Sequence, residues 1–362
     1  MEECIKIIDQ TVNEAINIGL SNEEIEKIVL KLKKYPLEAI EISFDNFCKL
    51  NNPSFLHLIR CKVYNNFGQL KKAKRIKVKK LVLCINYKKE VLFLNELSRL
   101  LGFTRTFVQE IYVSIENASE YTQEDLKPCF KLLKRNRVNA IIYNDKKCIL
   151  DPFTTFESLK KISESMFYKI EYKGNNSLGL ATANSLSAIR AGVKKIYTSI
   201  CGVGINNGAS MEEVLLADKY FFNKNNSNIC NSISEDCKEI MKKMNINIPI
   251  DKAVIGSHVF AHESGIHVDG VIKNPALYEV ISPEEVGLKR RLIIGKHSGT
   301  AAIKKKFSEF DMEINKYQAS EILKEVKKLA VLQKSSLSDE QLKMIYCEKI
   351  IRRVGNEINA KI

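Results

Sequence analysis

Short β-branched runs alternate with longer amphipathic stretches along most of the chain, recurring every 25 to 30 residues or so. That is the order of repeated βα units. Eight runs stand out: IKIID (5–9), LEAIEIS (37–43), HLIRCKVYN (57–65), KKLVLCIN (79–86), EIYVSIE (110–116), AIIYN (140–144), YKIEYKG (168–174) and KIYTSICG (195–202). Between them lie helical stretches such as NEEIEKIVLKLKKY and LATANSLSAIRAG, the first introduced by Ser21 with Glu24 three residues on, the spacing of a capping box. Eight parallel strands with intervening helices close most economically into a (β/α)8 TIM barrel. A doubly wound open sheet is the alternative, and the third run fits a strand least well. After Phe222 comes the asparagine-rich NKNNSNICNSISED, and beyond about residue 250 the βα rhythm stops. The expected division is therefore a barrel over 1–249 and a C-terminal α+β and helical lobe over 250–362, ending in Lys/Glu-rich helices.

Composition changes this picture little. The formal charge of +14 raises nucleic acid as a partner, and the densest basic run is KKAKRIKVKK, Lys71 to Lys80. It holds no aromatic residue for stacking, and lysine far outnumbers arginine, so a solvated face is the expectation. No tract of about 18 apolar residues and no charged-then-apolar leader is visible, which predicts a cytoplasmic protein without a membrane partner. The ten cysteines include no CxxC pair, so they read as reduced, mostly core residues.

Barrel chemistry gathers at the C-terminal ends of the strands. Four stretches qualify: Asp9 to Asn17, Glu116 to Glu120, Lys173 to Ser177 and Gly202 to Ala209. The last reads GVGINNGAS, with its third glycine one place late for GxGxxG and on the eighth strand, which excludes a dinucleotide fingerprint. In HESGIHVDG, His262 and His267 are five residues apart, about 500° around a helix, so they do not share a metal as in a zinc-protease motif. IIGKHSG lacks the upstream glycine of a phosphate loop, since Arg290 stands there.

The segment GSHVFAHESGIHVDGVIKNPALYEVISPEEVGLKRRLIIGKHSG, 256–299, resembles the homocitrate synthase and 2-isopropylmalate synthase family of acyl-CoA-condensing barrels. NSLGLATANSLSAIRAG and CILDPFTTFESLKKI extend the likeness back through the barrel. The resemblance implies a Claisen-type condensation in which a divalent metal binds a 2-oxo acid and a base removes a methyl proton from acetyl-CoA. It also implies a lobe that reaches over a neighbouring subunit's active site.

Position by position, the barrel departs from the family. Where the family's first strand ends in a pattern like DTTLRDGEQ, this chain has DQTVNEAIN: Asn13 stands for the catalytic Arg and Glu14 for the metal-binding Asp. The family's His-x-His pair, which points two rings at one metal, corresponds to Lys173 and Asn175. Ile205, Asn206 and Ala209 replace the Glu, Arg and Asn of the eighth-strand loop, and Lys146 replaces the Thr expected at the substrate carboxylate. Protonated ammonium and neutral amide groups are poor transition-metal ligands. Lys173 is expected to occupy the vacated cation's place and pair with Glu14, sparing it from being an uncompensated buried charge.

In the lobe the family pattern is kept. The resemblance gives His267 proton transfer at the acetyl-CoA methyl or thioester, Tyr278 a hydroxyl hydrogen bond there, and Glu263 a supporting catalytic place, all acting in trans; His262 and Lys146 become substrate contacts. It implies a non-catalytic barrel like the omega-type chains of split homocitrate synthases, which accompany a barrel-only catalytic subunit. This barrel then binds no cofactor of its own, the partner holds the divalent metal, and acetyl-CoA and 2-oxoglutarate are substrates of the complex. The end at Ile362, without a large C-terminal regulatory domain, favours homocitrate over isopropylmalate. A 2-isopropylmalate or citramalate synthase-like subunit, a metal-free condensation using Lys173, self-association, and a regulatory scaffold are the alternatives.

Overall fold

A computed structural model describes residues 4–166, 168–204, 207–222, 231–263 and 279–351. The chain divides into two compact units, 1–248 and 249–362. In the first, eight strands alternate with helices: β1 (Lys6–Asp9), β2 (Leu37–Ser43), β3 (Ile59–Tyr64), β4 (Lys80–Ile85), β5 (Glu110–Ile115), β6 (Ala140–Asp145), β7 (Ile170–Gly174) and β8 (Lys195–Ser199). Every neighbouring pair is parallel, and β8 returns to β1, with Ile7 opposite Ile196 and Ile8 opposite Tyr197. The sheet is a closed barrel, which excludes the open doubly wound alternative. HLIRCKVYN does supply β3, after a single helical turn at Leu56–Leu58.

The alternation of side chains along each strand decides what faces the interior. Ile8, Ala39, Val82, Cys84, Tyr112, Ala140, Ile142 and Tyr197 pack together inside. Burying each large member contributes about 1.5–3 kcal/mol. Glu41, Lys62, Ser114, Asn144 and Lys173 share the same parity and so continue this inward face toward the mouth. The opposite parity, Ile7, Ile40, Cys61 and Leu83 among it, is fully buried as well. That two-sided burial is why the strands read as nearly continuous apolar runs.

Helix α1 (Thr11–Asn17) starts one residue after β1, and α2 (Asn22–Leu32) follows. Ser21 caps α2: its hydroxyl accepts the Glu24 amide, and the Glu24 carboxylate accepts the Ser21 amide at 2.9 Å. Ile25, Ile28, Val29 and Leu32 form its buried stripe. Helix α3 (Phe44–Lys49) follows β2, and α4 (Phe67–Arg75) carries the start of the basic run. Leu70 and Ala73 anchor α4 while Lys71, Lys72 and Lys74 are exposed, the solvated face that the spacing predicts.

The second unit holds a two-residue parallel pairing of Ala261–His262 with Arg291–Leu292. Helices Thr300–Ser308, Lys316–Gln333 and Asp339–Tyr346 enclose a separate core of Ile303, Phe307, Ile322, Val326 and Leu342. Among the described residues no helix is long and apolar enough to cross a membrane.

Candidate functional site at the barrel mouth

The strands deliver their last inward residues into a cavity of about 410 Å³, lined by Gln10, Glu41, Lys62, Glu116, Lys146 and Lys173 among others. Such a volume suits a small metabolite. Its centre is ionic. Lys173 on β7 places its Nζ 2.6 Å from Glu41 Oε1 on β2, with side-chain exposures of 15% and 4%. Gln10 Nε2 donates to the same oxygen at 3.1 Å, and the ammonium also sits 5.2 Å from the centroid of the Tyr197 ring. Alongside, Glu116 Oε1 accepts from Ser114 Oγ at 2.9 Å and Asn144 Nδ2 at 3.1 Å. Lys62 lies 3.8 Å from Glu116 Oε1, and Lys146 lies 3.4 Å from its Oε2.

These charges compensate one another. Burial alone would raise the Glu116 carboxyl, but Lys62, Lys173, the Ser114 hydroxyl and Lys146 bring it down to about 2. Burial likewise opposes the charge on Glu41, and Lys173 and Lys62 outweigh it, so this carboxyl too lies below its ordinary range. Burial disfavours the Lys62 ammonium, yet Cys84, Glu41 and Glu116 beside it hold its pKa above the usual lysine range.

The partner of Lys173 is therefore Glu41, and the expected pairing with Glu14 is not formed. The cause is local. Asp9 Oδ2 accepts the Val12 amide at 2.9 Å and so starts α1 immediately after the strand. Glu14 falls on that helix, half-exposed, where it accepts from Asn17 Nδ2 at 3.1 Å. Asn13, expected at the family's Arg position, accepts from the Ser43 amide and from Asn46 Nδ2, both at 2.9 Å, tying α1 to the end of β2. The signal for Glu41 was in the sequence: a carboxylate between Ile40 and Ile42, in a run buried on both faces, needs an internal cation.

The remaining positions are equally committed. Asn175 Oδ1 accepts from the Ser177 amide at 2.8 Å and the Ser177 hydroxyl at 2.6 Å, while its Nδ2 donates to the Lys146 carbonyl at 2.9 Å. Its amide shapes the turn after β7. Ala209 is buried opposite Thr198 and offers no side-chain donor atom. Gly202 is required nearby, since a Cβ there would meet the Gly208 carbonyl oxygen at 2.7 Å. Ile205 and Asn206 lie outside the described residues. A divalent metal does not fit this donor set: an ammonium engaged with Glu41 offers no lone pair, and the Asn175 carbonyl oxygen is already used. Among the described residues no group of three or more His, Cys, Asp and Glu assembles.

In the lobe, the Glu263 carboxylate accepts the His297 amide at 2.7 Å, and the Glu263 carbonyl accepts from Ser298 Oγ at 3.0 Å. A Cβ at Gly295 would come within 2.5 Å of Glu263 Oε1, so a side chain there would push the carboxylate away from the His297 amide. Glu263, expected as a catalytic side chain, thus holds the GKHSG loop in place. His262 Nε2 lies 3.6 Å from Glu279 Oε1, and Glu279 is bound by Arg290 at 2.6 Å. His267 and Tyr278 lie outside the described residues.

Comparison with known proteins gives this site its context. The HMGL-like family description matches residues 76–231, and the description "Homocitrate synthase post-HMGL domain-like" matches 254–334. 2-Isopropylmalate synthase 2 of Caldanaerobacter subterraneus subsp. tengcongensis is 37% identical over 245 residues, 67% of this chain and 64% of that one. The chain belongs to the family of homocitrate and 2-isopropylmalate synthases. Homocitrate synthase 1 of a Nostoc species is 35% identical over 54% of this chain and 52% of its own length. For (R)-citramalate synthase CimA of Methanocaldococcus jannaschii the identity is 34%, over 67% of this chain and 50% of that one. The chain thus spans between half and two thirds of these relatives. The barrel fold is shared with an HMG-CoA lyase from Acinetobacter baumannii solved with coenzyme A and 3-methylmalate: TM-score 0.55, 10% identity, 68% of this chain and 93% of that one.

Proposed function

We propose that this chain is a non-catalytic barrel subunit of a homocitrate synthase-type acyltransferase, and that its lobe completes the active site of a partner barrel. The observation that carries this reading is the Lys173–Glu41 ion pair in the barrel mouth, at the strand end where the resemblance would put the family's metal. Condensation of acetyl-CoA with 2-oxoglutarate then takes place on the partner, which supplies the divalent metal. His267 serves proton transfer at the acetyl-CoA methyl or its thioester, and Tyr278 donates a hydrogen bond to the developing charge.

In this chain's own mouth, neither a polarised ketone nor a base is provided. Lys173 is not a free amine nucleophile either, because its Nζ is engaged by Glu41 Oε1 at 2.6 Å. The test is to purify the chain alone and with a barrel-only relative from the same genome, and to follow acetyl-CoA-dependent CoA release. No turnover alone, a gain on mixing, and loss of that gain in His267→Ala are the expected results. Turnover by the isolated chain would refute the inactive barrel, and no gain on mixing would refute complementation in favour of a regulatory scaffold or self-association. Because relatives of similar identity carry the names 2-isopropylmalate synthase and citramalate synthase, shorter 2-oxo acids belong in the same assay.

A further inference from the structure

Every neighbouring pair of barrel strands is parallel, so the segments that lead into the strands meet at the floor of the barrel, opposite the mouth. These segments share a sign. KKYP (33–36) leads into β2, RIKVK (75–79) into β4, RTFVQ (105–109) into β5, RNRVN (135–139) into β6 and RAGVK (190–194) into β8, while Tyr168 and Lys169 precede β7. None of them holds an aspartate or glutamate. Lys33, Lys79, Arg105, Arg137, Lys169 and Lys194 are exposed, and none has a carboxylate partner among the described residues. The acids where the strands begin are already engaged: Glu38 with Lys195, Glu110 with Lys80 and Glu171 with Arg60. Because β4 to β8 are consecutive neighbours, the segments before them form one continuous arc of positive charge. The basic run Lys71 to Lys80 is one part of that arc, and the fold brings the rest beside it from far along the chain.

Cations in the last turn of a helix offset its dipole, which accounts for Arg105 at the end of the helix Val91–Arg105. Lys79, Arg137, Lys169 and Lys194 lie past the helix ends, which fall at Arg75, Arg135, Met166 and Arg190. The chemistry between the cations narrows the partner. Single-stranded nucleic acid stacks its bases on exposed aromatic rings; here Tyr35 is buried, and Phe107 and Tyr168 are half-buried. A protein interface has an aromatic-rich core depleted of lysine, and a helix seated in a membrane surface buries an apolar face. The large apolar side chain that these segments expose is Ile76, at 40%. Dispersed cations with little apolar surface between them match a regular array of phosphates, which a duplex presents at about one charge per 1.7 Å of its axis.

We propose that the floor arc binds the phosphate backbone of duplex nucleic acid, without reading its bases. Phosphate contacts of this kind position a duplex and carry no sequence information. The inference does not depend on whether the mouth is catalytic.

The experiment is a fluorescence-anisotropy titration of the full chain into a labelled DNA duplex of ~20 base pairs, at ~50 and ~200 mM salt. Four or so phosphate contacts predict an affinity about a hundredfold weaker at the higher salt. The exposed triple reversal Lys79→Glu/Lys169→Glu/Lys194→Glu should keep the wild-type Tm, weaken binding about tenfold or more, and make the salt slope shallower by about one for each residue changed. A control reversal of exposed lysines in the second unit, Lys304→Glu/Lys327→Glu/Lys328→Glu, should leave the affinity within about twofold. Absence of binding at the lower salt would overturn the proposal, and so would an equal loss in the floor and control variants, which would mean attraction by net charge alone. Tighter binding of the single strand, or displacement of the duplex by poly-L-glutamate or by anionic phosphatidylserine vesicles at equal charge concentration, would assign the face to another class of partner and overturn it as well.

Discussion

The two ends of the barrel solve the same electrostatic problem differently. At the mouth, Glu41 and Glu116 are surrounded by donors: Lys173 and Gln10 on one, Lys62, Lys146, Ser114 and Asn144 on the other. At the floor, Glu171 has Arg60 stacked 3.7 Å over the Tyr112 ring and a hydroxyl from Tyr197, but one oxygen is unmatched. Tyr197 touches both, its ring beside Lys173 and its hydroxyl on Glu171. The difference teaches that the mouth shares its two carboxylates among several cations and polar donors, whereas the floor carboxylate rests on one guanidinium and one hydroxyl.

The sharpest way to break this comparison is to remove the floor cation. Arg60→Met leaves Glu171 buried and unpaired, and should cost about 3–5 kcal/mol of unfolding free energy in a denaturant titration. At the mouth the same operation should cost less. Lys173→Met leaves Glu41 with Lys62 and Gln10, and a loss of about 1–3 kcal/mol is expected. Most of it should return in Lys173→Met/Glu41→Leu, since two apolar partners replace the pair without an orphan charge.

The acid limb sharpens the mouth further. The Glu116 carboxyl is depressed from an ordinary 4.5 to about 2, so its stabilisation is full above pH 4.5 and is lost as pH falls toward 2. Glu116→Gln should flatten the stability profile in that window and leave the profile near neutrality parallel to that of the wild type. Asp9 has the opposite sign. Burial outweighs the Val12 and Thr11 hydrogen bonds and lifts it to about 6, so its contribution is present below its ordinary 3.8 and lost as pH rises through 6. Asp9→Asn should therefore gain stability above pH 6, by the smallest margin in the set, if the amide oxygen still accepts from Val12.

The barrel was legible in the sequence because strands buried on both faces must be apolar, and eight such runs at regular spacing leave few topologies. The resemblance singled out Asn13, Lys173 and Asn175, and the structure engages all three in polar contacts within the barrel unit. The partner of Lys173 was not. Reading Glu14 as a strand-end residue missed that a helix begins at Thr11, its Val12 amide held by Asp9, and this helix carries Glu14 away from the interior. Glu41 hid within a strand, where only the parity shared with Ala39 reveals that it faces inward. The role of Glu263 was hidden for a related reason: its partner, the amide of His297, is 34 residues away in the chain.

The most direct test of the central claim is calorimetric titration of Mn²⁺ and Mg²⁺ into the isolated chain, its Glu41→Gln variant and the reverted Lys173→His/Asn175→His variant. A mouth completed by its own ammonium predicts no saturable one-per-chain site in the wild type, and no difference on removing Glu41. A stoichiometric wild-type site that disappears in Glu41→Gln would contradict the account.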